Sequence, residues 1–250
     1  MRPADWAAWL EMARLLLHPP ALFHHLHGLD WYRHALWEAL RLAPADLAAT
    51  SCLEIGCATG DFCGGLAAQG ARVHGIDRSP DMVRRARQAH PGVRFTEADA
   101  LALPFGESGF DIVYAASLLN VVDDPVRVLR EMARVCRPAG VLVILVPVEG
   151  FGTAQARRWT AAQALSPREA AAYMAWHRLA RKIPAARLQQ WVDEAGIGHA
   201  RVQAWPLLGG MVQAAHVRLM ADGQRPQGTP WPDAAQQAPQ NGTITASSWV

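Results

Sequence analysis

Lysine is almost missing from this chain. Of its 24 basic side chains only Lys182 is a lysine, and the net charge over 250 residues is +2 with histidine neutral. So small an imbalance gives no electrostatic reason to expect nucleic acid as a partner. The abundance of Arg and Ala is a compositional habit rather than a polybasic device. The shortage also removes the phosphate-gripping P-loop, which needs Gly-Lys-Ser/Thr. No apolar run of about 18 residues occurs, so nothing reads as a membrane span. Asp5 and Glu11 interrupt the apolar N-terminal stretch, so it does not read as a signal peptide. A reducing cytoplasm is the expected location. Cysteine is scarce too: Cys52, Cys57, Cys63 and Cys136, with no C-x-x-C pair of zinc-site spacing. They read as buried thiols, with ligation of a soft metal or metalloid by Cys57 and Cys63 as the sharper alternative. His24, His25 and His27 lack carboxylate or cysteine companions at helical spacing and read as a helix-end cluster, so no metal site is expected.

What the chain does contain is a change of period. Residues 4–17 (ADWAAWLEMARLLL) place apolar residues at helical spacing until His18-Pro19-Pro20 stops them. Residues 21–42 read as one or two further helices, with Trp31, Tyr32, Leu36, Trp37 and Leu40 recurring every three to four positions. From Ser51 onward short strands alternate with helices. Strands are expected at 51–55, 72–76, 93–97, 110–115 and 141–146, and helices at 61–69, 80–89 and 125–136. Ser79 is the expected N-cap of the helix opened by Pro80. The fifth strand is apolar throughout, as a strand buried on both faces should be. Such alternation predicts an α/β chain with a parallel sheet covered by helices. Residues 151–183 read as helical, 187–195 as a helix closed by Gly196, and 200–205 and 211–219 as two late strands pairing antiparallel. The stretch 221–250, rich in Gln, Pro, Ala, Gly and Ser, reads as a disordered tail.

The segment LEIGCATGDF, residues 53–62, turns the first strand into a helix. A dinucleotide fingerprint would need glycines where Ala58 and Asp61 stand, and a pyrophosphate would gain nothing from Glu54 and Asp61 beside it. A ligand with a positive centre suits the turn better. Glu54 ends a strand at the crevice of an open α/β sheet. Gly56 and Gly60 admit backbone close to a ligand, and the helix starting at Asp61 offers N–H groups to a carboxylate. Asp77 ends the second strand, where it can accept two ribose hydroxyls. Asp99 follows the third, where it can accept an adenine amine. Three acids on three successive strand ends match the amino acid, ribose and base of S-adenosylmethionine.

With these motifs the chain resembles the class I S-adenosylmethionine-dependent methyltransferases, especially the small-molecule group that includes the ubiquinone and menaquinone C-methyltransferases. The resemblance covers roughly residues 50–150: LEIGCATGDF, VHGIDRSPDMVRRAR, FTEADALALPF, FDIVYAASLLNVVDDP and VLREMARVCRPAGVLVILVP, in order. It implies a Rossmann-like seven-stranded sheet, mostly parallel with the last strand antiparallel, helices on both faces and helical lid segments. The implied layout is an N-terminal helical lid at 1–46, a cofactor-binding domain at 47–220 with a lid insertion at about 151–183, and the tail. It implies S-adenosyl-L-methionine as cofactor. Glu54, Gly56 and Gly60 form the turn, with Cys57 and Ala58 lending backbone. Asp77, followed by Arg78, holds the ribose; Met82 packs on the adenine; Asp99 and the backbone of Ala100 read its edge. Ala116 and Ser117 line the methionine end, and Tyr32 lies over the cofactor. The family usually has Gly where Ala58 stands and often His where Asn120 stands. The Asn-Pro-Pro-Tyr signature of amino-group methylation is absent, its place taken by YAAS.

The expected reaction is C- or O-methylation of a small, apolar molecule. His177 and Tyr173, four apart on one helical face, are the candidate bases if the acceptor must lose a proton. A protein or RNA methyltransferase, a catalytically inactive cofactor-binding module and a metalloid acceptor held by Cys57 and Cys63 remain as alternatives. Whether the two lids meet within one chain or across a homodimer is open at this point.

Overall fold

The computed structural model describes residues 25–40, 46–197 and 201–219. The expected helix at 4–17 and the expected tail therefore lie outside the described residues. The elements are α1 (Asp30–Leu40), β1 (Ser51–Ile55), α2 (Asp61–Ala68), β2 (Arg72–Asp77), α3 (Pro80–Ala89), β3 (Arg94–Glu97), β4 (Phe110–Ala116), α4 (Pro125–Val135), β5 (Cys136–Pro147), α5 (Thr153–Ala162), α6 (Pro167–Leu179), α7 (Arg187–Ala195), β6 (Arg201–Leu207) and β7 (Val212–Arg218).

Local signals explain most of these boundaries. The Ser79 side chain accepts from the Met82 N–H at the start of α3, and Asp124 accepts from Arg127 before Pro125 opens α4. Ser166 and Glu169 cap α6 reciprocally. Gly196, at φ 65°, ends α7 in the left-handed conformation a side chain resists. The widest difference in a strand boundary is at β5, which begins at Cys136 rather than Val141, because Cys136 pairs with Phe110 across an irregularity in the β4 ladder; the other strand ends lie within about two residues of expectation.

The seven strands form one sheet in the order β3-β2-β1-β4-β5-β7-β6. The first five pair in parallel, whereas β7 runs antiparallel to both β5 and β6. Side chains alternate faces along each strand, so two cores form. On one face Cys52, Tyr114, Val143 and Leu145 pack with α1, α5, α6 and the Phe62 and Leu66 side of α2. On the other, Leu53, Ile55, Val113 and Ile144 pack with Val128, Leu129 and Met132 of α4 and Leu188 and Trp191 of α7. The order in which strands are added reverses between β1 and β4, and the crevice at that switch, beyond the strand C-termini, is where ligands of such sheets bind.

Candidate cofactor and acceptor site

The turn after β1 is built from three residues in left-handed conformation: Gly56 (φ 77°), Ala58 (φ 47°) and Gly60 (φ 78°). The N–H groups of Gly56 and Cys57 both donate to the carbonyl of Ile76, at 2.8 and 2.9 Å, anchoring the turn to the end of β2. Gly60 has no room for a side chain, because a Cβ there would lie 2.6 Å from the ring of Phe95. Ala58 takes a conformation that favours glycine, which gives a physical reason for the glycine usual at this place. The turn delivers the chain into α2, whose first N–H groups have no intrahelical acceptors and face the crevice side of the sheet.

Glu54 is 2% exposed. Its Oε2 accepts from the Cys63 thiol at 2.9 Å, and no cation among the described residues pairs with it. Burial, with added repulsion from Asp61 and Asp77, pushes its carboxyl up to about 8 despite the opposing Cys63 hydrogen bond. A buried acid without a counterion is a niche for a positive group. The Cys57 thiol contacts the Ala58 carbonyl at 3.9 Å, and burial raises the Cys63 thiol far above its ordinary range, with the Cys57 thiol raised as well. Low thiolate character makes them inert spacers rather than nucleophiles. Among the described residues no group of three or more His, Cys, Asp or Glu could hold a metal ion.

The other acids lie along the rim. Asp77 Oδ2 accepts from the Ala58 N–H at 3.0 Å and Oδ1 from the Ser79 N–H at 2.9 Å. A carboxylate has about four lone-pair sites, so both oxygens can accept again. The Ala98 N–H bonds the Asp77 carbonyl, which sets Asp99 and Ala100 just beyond it; Asp99 is exposed and accepts from the Leu101 N–H at 2.9 Å. Met82 is buried at the start of α3, and Arg78 is exposed.

Across the crevice β4 ends at Ala116, and Ser117 adopts φ 52°. Tyr32 is buried, and burial together with the charge of Glu54 pushes its hydroxyl well above its ordinary range, with nearby Ser117 opposing. Tyr32, Glu54 and Ser117, far apart in sequence, therefore meet. Around Tyr32 packs a buried aromatic cluster contributed by α1 and α6. Trp176 meets the Tyr32 ring edge-on at 5.3 Å and stacks on Trp31 at 5.8 Å, and Trp31 meets Tyr173 at 5.3 Å. The expected pair of bases separates in chemistry. The Tyr173 hydroxyl is buried and donates to the Leu208 carbonyl at 2.7 Å, and its ring stacks on Trp159 at 4.5 Å. That tyrosine ties α6 to the β6–β7 turn and has no hydroxyl to spare. His177 keeps a buried Nδ1 without a partner, and desolvation together with Lys182 and Arg178 lowers its basicity. The Cys63–Glu54 contact and the Trp31–Trp176 stack carry no motif of their own in the sequence.

A family model described as a methyltransferase domain matches residues 53–144. The demethylmenaquinone methyltransferase of Thermus thermophilus is 40% identical over 123 residues, 47% of this chain and 54% of that protein. The chain thus spans about half the length of that relative, and 40% of the Chlorobaculum parvum protein of the same name. The trans-aconitate 2-methyltransferase of an Azoarcus strain is 30% identical over 188 residues, 69% of this chain and 74% of its own. Among solved structures, an S-adenosylmethionine-dependent methyltransferase of Thermotoga maritima, described as a possible histamine N-methyltransferase, superposes with a TM-score of 0.57. That match covers 84% of this chain and 99% of the other, at 19% identity.

Proposed function

The chain belongs to the S-adenosylmethionine-dependent methyltransferases, and from that premise we propose that it methylates a small, largely apolar molecule at carbon or oxygen. The observation that carries this reading is Glu54: a buried carboxyl with no counterion among the described residues, beside the N-terminal turn of α2 and close to the buried Tyr32. The niche suits a zwitterionic amino acid next to a sulfonium. The names of the relatives, for demethylmenaquinone and trans-aconitate, support a small-molecule acceptor over protein or RNA.

Glu54 would hold the ammonium of S-adenosylmethionine, and the first N–H groups of α2 its carboxylate. Asp77 would take the ribose hydroxyls, with Arg78 beside it, and Asp99 and the Ala100 N–H the adenine edge against Met82. Cys57, Ala58, Ala116 and Ser117 would line the methionine end, under Tyr32. When bound, the cofactor supplies a methyl group already activated by the positive sulfur. The work left to the protein is alignment and exclusion of water, worth about 7–11 kcal/mol when reacting groups are well oriented. Trp31, Tyr32 and Trp176 exclude water on the acceptor side. His177 is the candidate base, since desolvation and its cationic neighbours keep it neutral at pH 7. We place the protein in the cytoplasm, in keeping with four unpaired cysteines and with no membrane-crossing helix among the described residues. Size-exclusion chromatography with light scattering decides between a monomer and a homodimer.

Calorimetry tests the cofactor half. S-adenosylmethionine and its demethylated product should bind, Glu54→Gln should weaken both at pH 8, and a nicotinamide dinucleotide should give no heat. Dinucleotide binding without adenosyl-sulfonium binding would overturn the reading. Transfer of labelled methyl across a metabolite panel tests the rest. Product found only with protein or RNA substrates would replace the small-molecule acceptor by the macromolecular alternative.

A further inference from the structure

The connection from β3 to β4 contains no helix. From Ala98 to Gly109 the backbone forms only turns and bends, so its N–H and C=O groups must find partners outside regular structure. This loop carries Asp99 and Ala100, the groups assigned above to the adenine edge.

Three side chains of α4 supply partners. Arg127 Nε donates to the Leu101 carbonyl at 2.9 Å. Glu131 Oε2 accepts from the Leu103 N–H at 2.7 Å. Arg134 donates to the Leu103 and Phe105 carbonyls at 3.1 and 2.7 Å. Positions 127, 131 and 134 are four and three apart, so they form one stripe along the helix. Within the stripe Arg134 grips both Glu131 oxygens at 2.7 Å, a two-pronged pair that fixes the carboxylate. Leu103 is buried in one core with Val128, Leu129 and Met132 of the same helix.

These contacts lead back to Asp99. Its Oδ1 accepts from the Leu101 N–H at 2.9 Å, and its carbonyl accepts from the Ala102 N–H at 3.1 Å. Leu101 is therefore held twice, by Asp99 through its N–H and by Arg127 through its carbonyl. The second Asp99 oxygen keeps capacity to accept. Arg130 of α4 serves a different element: it donates to the Glu194 and Ala195 carbonyls at the end of α7, at 2.8 and 3.2 Å. One helix thus carries a latch on the loop of Asp99 and a separate brace on α7.

We propose that Glu131, together with Arg127 and Arg134, is a positioning residue for base recognition: the α4 latch holds residues 99–105 so that Asp99 meets an adenine amine already in place. The inference rests on the methyltransferase reading and adds to it a determinant that acts through the loop. Without the latch, an exposed loop has to be ordered by the ligand, and that ordering is subtracted from affinity. The loss falls on the amine contact. A base with a carbonyl oxygen in place of the amine sets an acceptor against the Asp99 carboxylate. It gains nothing from a well-placed Asp99 and loses little when the latch is cut. The latch therefore controls selectivity as well as stability.

The test measures binding of S-adenosylhomocysteine and S-inosylhomocysteine by calorimetry, with urea unfolding of every variant alongside. The full parent chain should prefer the adenosyl compound by about tenfold or more. Glu131→Ala and Arg127→Ala should each cut that preference about fivefold or more, through weaker adenosyl binding with inosyl binding nearly level. Arg130→Ala should lose stability and keep the parent's preference. Arg127 is exposed, so Arg127→Ala carries the test if Glu131→Ala does not fold. A preference that survives in folded Arg127→Ala overturns the proposal, as does equal weakening of both compounds in the latch variants. The same holds if Arg130→Ala loses the preference too, since selectivity would then follow general stability. A parent that binds both compounds equally overturns the proposal with the role of Asp99 and leaves the family reading intact. A parent that binds neither overturns the proposal together with the cofactor reading.

Discussion

Glu54 should make cofactor binding release a proton. Its carboxyl titrates at about 8 in the free protein because burial penalises the charge and Asp61 and Asp77 add repulsion. At pH 7 roughly ten proteins in eleven therefore carry it neutral, and ionising it costs about 1.4 kcal/mol there. An ammonium placed against it reverses the preference. Affinity for S-adenosylmethionine should then rise about tenfold from pH 6 to pH 7, as the ionised fraction rises tenfold. Above about pH 8 the α-amino group loses its own proton, so the profile turns over there. Calorimetry at pH 7 in buffers of different ionisation enthalpy should count close to one proton released per molecule bound. Glu54→Gln should abolish both the release and the slope. The unliganded protein gives a second readout of opposite direction. A carboxyl raised from its ordinary value to about 8 binds more protons folded than unfolded. Its stability contribution is therefore complete below about pH 4.5 and is lost as pH rises through 8. A shift of that size amounts to a few kcal/mol, so Glu54→Gln should gain stability above pH 8 relative to the parent. Affinity that is level between pH 6 and 7, or a slope that persists in Glu54→Gln, would refute the reasoning that a cation occupies this niche.

Ala58→Gly relieves a non-glycine residue at φ 47° and should stabilise the protein by about 1 kcal/mol in urea unfolding. Gly60→Ala combines φ 78° with a Cβ 2.6 Å from Phe95, so it should lower stability by about 2–3 kcal/mol and cofactor affinity at least tenfold in calorimetry. His177→Gln should reduce kcat about a hundredfold if the acceptor loses a proton to it, and the parent's rate should fall only as pH drops below the ordinary histidine range. Tyr173→Phe removes the bond to the Leu208 carbonyl and should cost about 1 kcal/mol of stability while kcat stays within about threefold.

Whatever depends on neighbours along the chain is legible in the amino-acid sequence by itself. The alternation of strand and helix specifies a parallel sheet with an antiparallel end. Ser79, Pro80 and Gly196 mark helix ends that the folded protein keeps. The placement of Glu54, Asp77 and Asp99 at strand ends needs only the count of residues between turns, because a parallel sheet brings successive C-termini to one edge. Those signals are short-range: they act through backbone conformation and through which face a residue takes.

Tertiary packing alone decided what surrounds each of these groups. That Glu54 faces Cys63 and, among the described residues, no cation, that Tyr32 of α1 comes close enough to Glu54 to feel its charge, and that Tyr173 spends its hydroxyl on Leu208 while His177 and Asn120 keep buried atoms without partners among the described residues are facts about non-local contacts. Residues so far apart along the chain impose no pattern on one another within it. Desolvation and hydrogen-bond satisfaction depend on three-dimensional neighbours, and only the folded arrangement assigns those.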